Sequence, residues 1–555
     1  MSIRRAYLGA ALDAVAAGGG CPEPDPSDAW QLAVASFIAG ERLDFARGRE
    51  LADAALRALA PDADAVARVT AAGASGMAAA ADLTAGEWTD AAPGLTPSGD
   101  PLVDALPHLD ALEAGDEAEF ARYLLAEAAL SCGRLELAAA LPLPDPARFL
   151  PRDGAPHPFA TVFTVLAARV AAFHGRIPDA HAVLDGAASA LPLYALLLDA
   201  TRALVAGNAS ELAATRELAD RVVQTRPEPR DRISAGCYLL ASYGLLGFYD
   251  IPSAAALLLA AGGDADLEHL LVTDRAIGFE LLAHAALVDG DLGAAEAWGA
   301  RAEPLAGSPI ANATVLRTRS RILFGRGEFA AARDAAVRAS ELGRAEGRMI
   351  EAIEADMLAS RAELAAGQSG AASRRLQALA QDAARTGFEA GVRNAAVQLR
   401  LAGRRLRPFA GTGWTGLSER EREVAELMLE GLTNGEIAGR LYLSAHTVRA
   451  HVSRVLAAFG VASRVAFAAR LTVDARQPDD ADAALDGLTE RQRAVVAVLA
   501  TGASNTQIAE QLGISVKTVE KHLHEIMRRL GVTTRVGVLR LLAPVRDETA
   551  PPLPR

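Results

Sequence analysis

Through the first four hundred residues of this 555-residue chain, apolar positions recur at helical spacing. The pattern breaks at intervals on a glycine followed by a polar residue and then small residues. Gly290-Asp-Leu-Gly-Ala-Ala, Gly327-Glu-Phe-Ala-Ala-Ala and Gly367-Gln-Ser-Gly-Ala-Ala are the clearest breaks, 37 and 40 residues apart, with weaker relatives at Gly133, Gly175 and Gly247. A turn at such intervals, each followed by an Ala-rich helix, predicts stacked helical hairpins in which small residues let paired helices approach closely. Residues 1–403 are therefore expected to form an α-solenoid, a helical-repeat region for sensing or interaction.

Beyond it the periodicity shortens. From Leu488 to Arg535 the pattern predicts four short helices, with capping boxes at Thr489-x-x-Gln492 and Ser504-x-x-Gln507, a cap at Ser515, and stops at Gly502, Gly513 and Gly531. A short helix, a tight turn and a longer second helix carrying Lys517, Lys521, His522, His524, Arg528 and Arg529 is the plan of a helix-turn-helix. Sliding back 71 residues without a gap superposes Leu488 on Leu417, Asn505 on Asn434, Ser515 on Ser444, His522 on His451 and Arg535 on Arg464. The capping boxes recur as Ser418-x-x-Glu421 and Thr433-x-x-Glu436, so the unit is duplicated. In the first copy Val448, Val452, Val455 and Leu456 should face a core with Ile437, Leu441 and Leu427, leaving His446, Arg449, Ala450, Ser453 and Arg454 outward.

The expected fold class is all-α: the solenoid, then two four-helix helix-turn-helix domains at 416–471 and 487–543. A linker at 404–415 begins with an Arg cluster ending at Pro408, and an acidic spacer at 472–486 contains Pro478 and five Asp. The Pro-rich tail, 544–555, is expected to be disordered.

Charge changes the picture modestly. The chain carries −13, but residues 401–555 hold 21 Lys and Arg against 17 Asp and Glu, a net of +4, so the remainder carries −17. An acidic body with a basic end fits a sensor joined to a nucleic-acid reader. Lys517 and Lys521 are the only lysines, which excludes a phosphate-binding P-loop and Schiff-base chemistry over residues 1–516. Cys21, Cys132 and Cys237 are odd in number and widely spaced, as in a reducing cytoplasm. The histidines of the first 400 residues are scattered, with no metal-ligand spacing, nucleophile elbow or dinucleotide fingerprint, so neither an enzyme, a cofactor nor a metal is expected. No apolar run is long enough for a membrane span. Ile3-Arg4-Arg5-Ala6-Tyr7-Leu8 is similar to a twin-arginine signal, but Asp13 interrupts the apolar stretch, and it is read as the first helix of a cytoplasmic protein.

The motifs Leu-[Ser/Thr]-x-Arg, Gly-x-[Thr/Ser]-Asn, Ile-Ala-x-x-Leu, Ser-x-x-Thr-Val-x-x-His and Gly-Val-x-[Ser/Thr]-Arg occur in both copies, which resemble the LuxR-type helix-turn-helix. The resemblance covers about a fifth of the chain. It implies a bacterial transcriptional regulator whose partner is double-stranded DNA, with Arg449, Ala450 and Ser453 in base-facing positions. An Arg there would suit guanine. Thr447, His451 and Arg464 would contact phosphate or fix the fold. In the second copy the outward set is Lys517, Glu520, Lys521, His524 and Arg528, with Thr518, His522 and Arg535 at the matching fold-or-phosphate positions. Glu520 stands where the first copy has Arg449, so this copy reads another sequence or serves another task. In the family the fourth helix makes the dimer contact, which implies a homodimer or an intramolecular pair.

The first part resembles a tetratricopeptide-like solenoid, like the helical-repeat sensors of large regulators in that family but without their ATPase module, and its concave face would take a small ligand or a protein. Trp298, Arg317, Arg319, Arg321 and Arg326 are candidates for that face, although solvated helix surfaces and a core aromatic account for them more simply. The competing reading is an interaction and dimerisation scaffold in which one or both helix-turn-helix domains no longer read DNA.

Overall fold

A computed structural model of the chain describes residues 3–17, 20–81, 100–150, 157–226, 228–308, 311–404, 406, 413–473, 488–501 and 503–541. It divides into two compact units, Met1–Ala402 and Gly403–Arg555. All regular structure among the described residues is helical. Trp88, Gly502, the tail at 544–555 and most of the linkers expected at 404–415 and 472–486 lie outside the described residues.

The first unit is an α-solenoid. It begins with α1 (Ile3–Ala17), α2 (Ala29–Glu41), α3 (Phe45–Ala58), α4 (Ala65–Ala81), the short α5 (Pro101–Asp104), α6 (Asp116–Ser131) and α7 (Leu135–Ala140). Hairpins then follow as α8 (Thr161–Phe173) with α9 (Ile177–Leu184), α10 (Pro192–Asn208) with α11 (Leu212–Thr225), and α12 (Arg232–Leu246) with α13 (Ile251–Gly262). The array ends with α14 (Val272–Val288) and α15 (Leu292–Ala302), α16 (Asn312–Gly325) and α17 (Phe329–Ala345), α18 (Met349–Ala365) and α19 (Ser369–Thr386), and α20 (Glu389–Leu401). The twin arginines lie in α1, where Arg4 meets Asp64 at 2.7 Å and Arg5 meets Asp116 at 2.6 Å.

Hairpins turn on one left-handed residue, which is Gly133, Gly175, Gly290, Gly327 or Gly367 at five of the expected glycines. The sixth expectation was misplaced: Gly247 is right-handed at φ −54°, and the left-handed position is Tyr249 at φ +56°. Leu43 and Ser210 turn their hairpins with no glycine, so the sequence pattern gave no sign of those turns.

Gly247 is small for a different reason. A Cβ there would lie 2.4 Å from the Gly207 carbonyl oxygen, and one on Gly244 would lie 2.3 Å from that of Ala203. Helices α10 and α12 thus cross backbone to backbone. Helix α12 leaves only Arg232, Gly236 and Leu246 outside the core, whereas its outer neighbour α11 buries only Thr215, Ala219 and Val222. Helix α12 is thus apolar nearly all round and α11 amphipathic, as inner and outer members of a stacked hairpin require. Polar links across long sequence separations close it: Arg232 on α12 donates to Glu41 at 2.5 Å and Glu127 at 3.0 Å, and Arg393 on α20 donates to Ser210 at 2.5 Å.

The second unit contains α21 (Glu419–Leu429), α22 (Asn434–Leu441), α23 (Ala445–Ala458) and α24 (Arg464–Val473), repeated as α25 (Glu490–Leu499), α26 (Asn505–Leu512), α27 (Val516–Leu530) and α28 (Arg535–Leu541). All four expected capping boxes form, each side chain accepting from the third backbone N–H of its helix. Val448, Val452, Val455, Ile437 and Leu427 are buried together, with Leu456 and Leu441 packed at the edge. Two residues of α24, Ala468 and Ala469, are buried in the core of the second module beside Val536, Val538 and Leu539. Thr534 Oγ1 donates to the Gly431 carbonyl at 2.9 Å across the same contact.

Two backbone positions make opposite predictions. Gly244→Ala should destabilise the first unit by roughly 3 kcal/mol or prevent its folding, because the added methyl meets backbone rather than a movable side chain. Tyr442, at φ +54° and 95% exposed, closes α22 where the second copy has Gly513. Tyr442→Gly should raise the stability of its module by about 1 kcal/mol. Denaturant titration of the full chain, following each unit's transition, measures both.

Candidate nucleic-acid interface

Serine caps begin both long helices of the modules. Thr447 N donates to Ser444 Oγ at 3.0 Å, and Thr518 N donates to Ser515 Oγ at 3.1 Å. The two threonines bond their cap serines through their own hydroxyls as well, at 2.8 Å and 2.7 Å. These bonds fix where each helix starts, and with it the direction of its first-turn side chains.

On α23 the exposed residues are Ala445, His446, Arg449, Ser453, Arg454 and Ala457, while Thr447, Ala450 and His451 are half-buried. On α27 they are Val516, Lys517, Glu520, Lys521, His524, Arg528 and Arg529, with Thr518 and His522 half-buried. Three of the residues expected outward are also engaged within the module. Ala450 is partly covered; Arg454, though exposed, donates to Glu421 at 2.9 Å; and Arg528 donates to Glu525 on its own helix at 2.6 Å. Arg464 turns inward, donating to the Leu432 carbonyl at 2.5 Å and to Asn434 Oδ1, and burial lowers its pKa. It therefore ties α24 to the start of α22. Its counterpart Arg535 is half-buried, and Asn505 Oδ1 has no hydrogen-bond partner among the described residues.

Glu421 and Glu525 are the residues that reasoning from sequence passed over. Glu421 is a capping-box residue whose burial would raise its pKa, but hydrogen bonds from Ser418 and Arg454 outweigh that and hold the carboxyl below its usual value. His451 Nδ1 lies 3.7 Å from the same carboxylate. In the second copy Gln492 replaces Glu421 and Glu525 replaces Arg454, so both partners change together. Glu525 instead takes hydrogen bonds from Arg528 and Arg529, which lower its pKa to about 2. The concerted change was the available signal, visible once the copies are superposed.

The two faces therefore differ in charge. The exposed side chains of α23 include no carboxylate, whereas α27 sets Glu520 and the half-buried Glu525 among Lys517, Lys521, Arg528 and Arg529. Both modules have the helix-turn-helix geometry of DNA-reading domains, and residues 415–471 and 486–542 each match the family described as bacterial regulatory proteins, luxR family. The two modules are LuxR-family domains. A 63-residue stretch is 48% identical to an HTH-type transcriptional regulator of Mycobacterium bovis, covering 11% of this chain and 7% of that protein. Another of 56 residues is 49% identical to a nitrate/nitrite response regulator protein homolog of Haemophilus influenzae, covering 10% of this chain and 27% of that one. A third, of 67 residues, is 37% identical to the transcriptional regulatory protein MctR of Rhizobium johnstonii, covering 12% and 31%. The chain thus matches less than a third of these relatives' length. Among solved structures, the APC/C hetero-tetramer Cut9–Hcn1 matches at 12% identity and a TM-score of 0.22, over 72% of this chain and 93% of that one.

Because the folded-state pKa of Glu421 is depressed, its contribution to stability is present above the unfolded-state value and is lost as the pH falls through the folded one. Glu421→Gln should cost the first module about 1 kcal/mol at neutral pH and flatten its loss of stability below about pH 4. Urea midpoints across pH measure this, with the second module, where Gln492 already stands, as the internal control.

Proposed function

We propose that this protein is a cytoplasmic transcriptional regulator in which the solenoid senses a ligand or partner and the two helix-turn-helix modules bind double-stranded DNA in a sequence-specific manner. The exposed row on α23, with Arg449 projecting beside His446 and Ser453 and no carboxylate among them, carries the reading. A guanidinium there donates two hydrogen bonds to guanine in the major groove. Arg454, His451 and Arg464 act behind that row, two of them through the bonds described above and His451 from beside Glu421.

The second module has a different task or target. Glu520 repels phosphate where Arg449 would attract it, and accepts from cytosine if it enters the groove. This favours a division in which the first module reads and the second positions. The contact of α24 with α28 supports pairing of the modules within one chain. Val465 and Val536, related by the 71-residue shift, lie in the same apolar cluster, as an interface with two-fold character requires.

The chain should bind DNA with an affinity that falls steeply with salt, as several phosphates are neutralised. Arg449→Ala should weaken specific binding about tenfold and relax base preference at one position. Lys521→Ala should reduce the salt slope by about 1 with little change in preference. Ala468→Asp, which puts a charge into the α24–α28 contact, should shorten the footprint to one module's length. Footprinting and electrophoretic retardation at several salt concentrations measure all three. Salt-insensitive or absent binding would favour the scaffold reading.

A further inference from the structure

The solenoid holds a partly open cavity of about 150 Å³ between its inner helices. Phe173, Leu246, Ile277, Leu281 and Phe388 give it apolar walls, and Glu280, His284, Arg317, Arg321, Glu351 and Glu354 also face it. None of these charged residues converge in the sequence, yet Tyr243, Glu280, Arg317 and Glu354 recur every 37 residues, as do His284 and Arg321. The interval is that between the Gly290 and Gly327 turns, so equivalent positions on α12, α14, α16 and α18 are stacked around one space. The expectation that Arg317 and Arg321 are solvated is thus overturned; Arg317 is 5% exposed.

Most of the charges satisfy one another. Arg317 donates to Glu280 at 2.5 Å and to Glu351 at 2.7 Å, and Arg348 donates to Glu351 at 2.5 Å. What remains is mainly donor capacity. Arg321 gives its Nε to Glu280 at 3.0 Å, and its two Nη groups bond nothing among the described residues. His284 makes no hydrogen bond there either, and burial together with Arg321 and Arg361 lowers its pKa to about 2, so it stays neutral. Glu354, a further carboxylate near Arg321, accepts from the Tyr249 hydroxyl at 3.3 Å, and burial raises its pKa. Arg361, outside the cavity lining, stacks on Phe324 at 5.3 Å and lies within electrostatic reach of Arg321 and Glu354.

We propose that this cavity is the effector site, and that its ligand is a small carboxylate with an aromatic or branched aliphatic body, the carboxylate held by the free Nη groups of Arg321 and hydrogen-bonded by His284. A guanidinium fork matches a carboxylate in two parallel hydrogen bonds. A space of this size takes a body of the dimensions of benzene, which puts the ligand at about ten non-hydrogen atoms. The proposal rests on the regulator reading above and supplies the ligand that reading leaves unnamed.

The test uses the full chain with benzoate, phenylacetate and 2-ethylbutyrate, and benzyl alcohol as the uncharged comparison, each at about 5 mM, by saturation-transfer NMR and thermal melting. At least one carboxylate should bind at least about tenfold more tightly than benzyl alcohol, the margin expected of a charge-assisted hydrogen bond. Arg321→Gln should remove that margin. Ile277→Trp, which fills the cavity and leaves the ion pairs alone, should abolish binding of every probe while the chain still melts cooperatively. Saturation transfer from none of the three carboxylates, an equal affinity for benzyl alcohol, or binding unchanged in Ile277→Trp would each overturn the assignment. DNA retardation by the same preparation separates the two readings. DNA binding without carboxylate binding removes this inference alone, and the converse removes the DNA-binding reading alone.

Discussion

The interior of the solenoid is held by arginine–carboxylate pairs that cannot be broken singly. Arg232 bridges Glu41 and Glu127, and Arg317 bridges Glu280 and Glu351, in each case joining helices far apart in sequence. Removing one partner leaves an uncompensated charge where water does not reach, which costs several kcal/mol. That constraint explains why the inner helices carry charges of opposite sign at matched positions. It also bears on the cavity at the centre: the pairs of Arg317 with Glu280 and Glu351 tie together the helices that surround it.

Close backbone packing is the other half of this arrangement. The glycines at the α10–α12 crossing bring two helices within reach of each other's carbonyls, so small residues at the inner turns act on the packing of neighbouring hairpins as well as on the turn itself. Gly247 illustrates the distinction, since it is a packing residue in the position where a turn residue was expected.

The helical character and every capping box of the second unit were legible in the sequence because they depend on residues three or four apart, and the duplication because the two copies align over a 71-residue shift without a gap. The cavity was not, because the groups that form it lie on separate hairpins and become neighbours only through stacking. A trace was nevertheless present in the 37-residue recurrence of Glu280, Arg317 and Glu354, hidden because the glycines that mark the turns drew attention to the outer edge of each repeat. In the modules, the outward faces followed from periodicity, but the inward turn of Arg464 and the capture of Arg454 by Glu421 did not. Long arginine side chains reach several partners, and the choice among them is made by tertiary contacts.

The joining of α24 to α28 within a single chain bears on how the protein responds to its own abundance. Two reading modules on separate chains must first meet, so the occupied fraction of a site rises with roughly the square of concentration when dimers are scarce. Modules tethered in one polypeptide meet at an effective concentration set by the connecting segment, which for a short flexible connection is in the millimolar range. On the proposed reading, occupancy then varies in proportion to the number of chains in the cell, and a few copies suffice to hold a site. Under that same proposal, control falls on the state of each molecule more than on how many have been made.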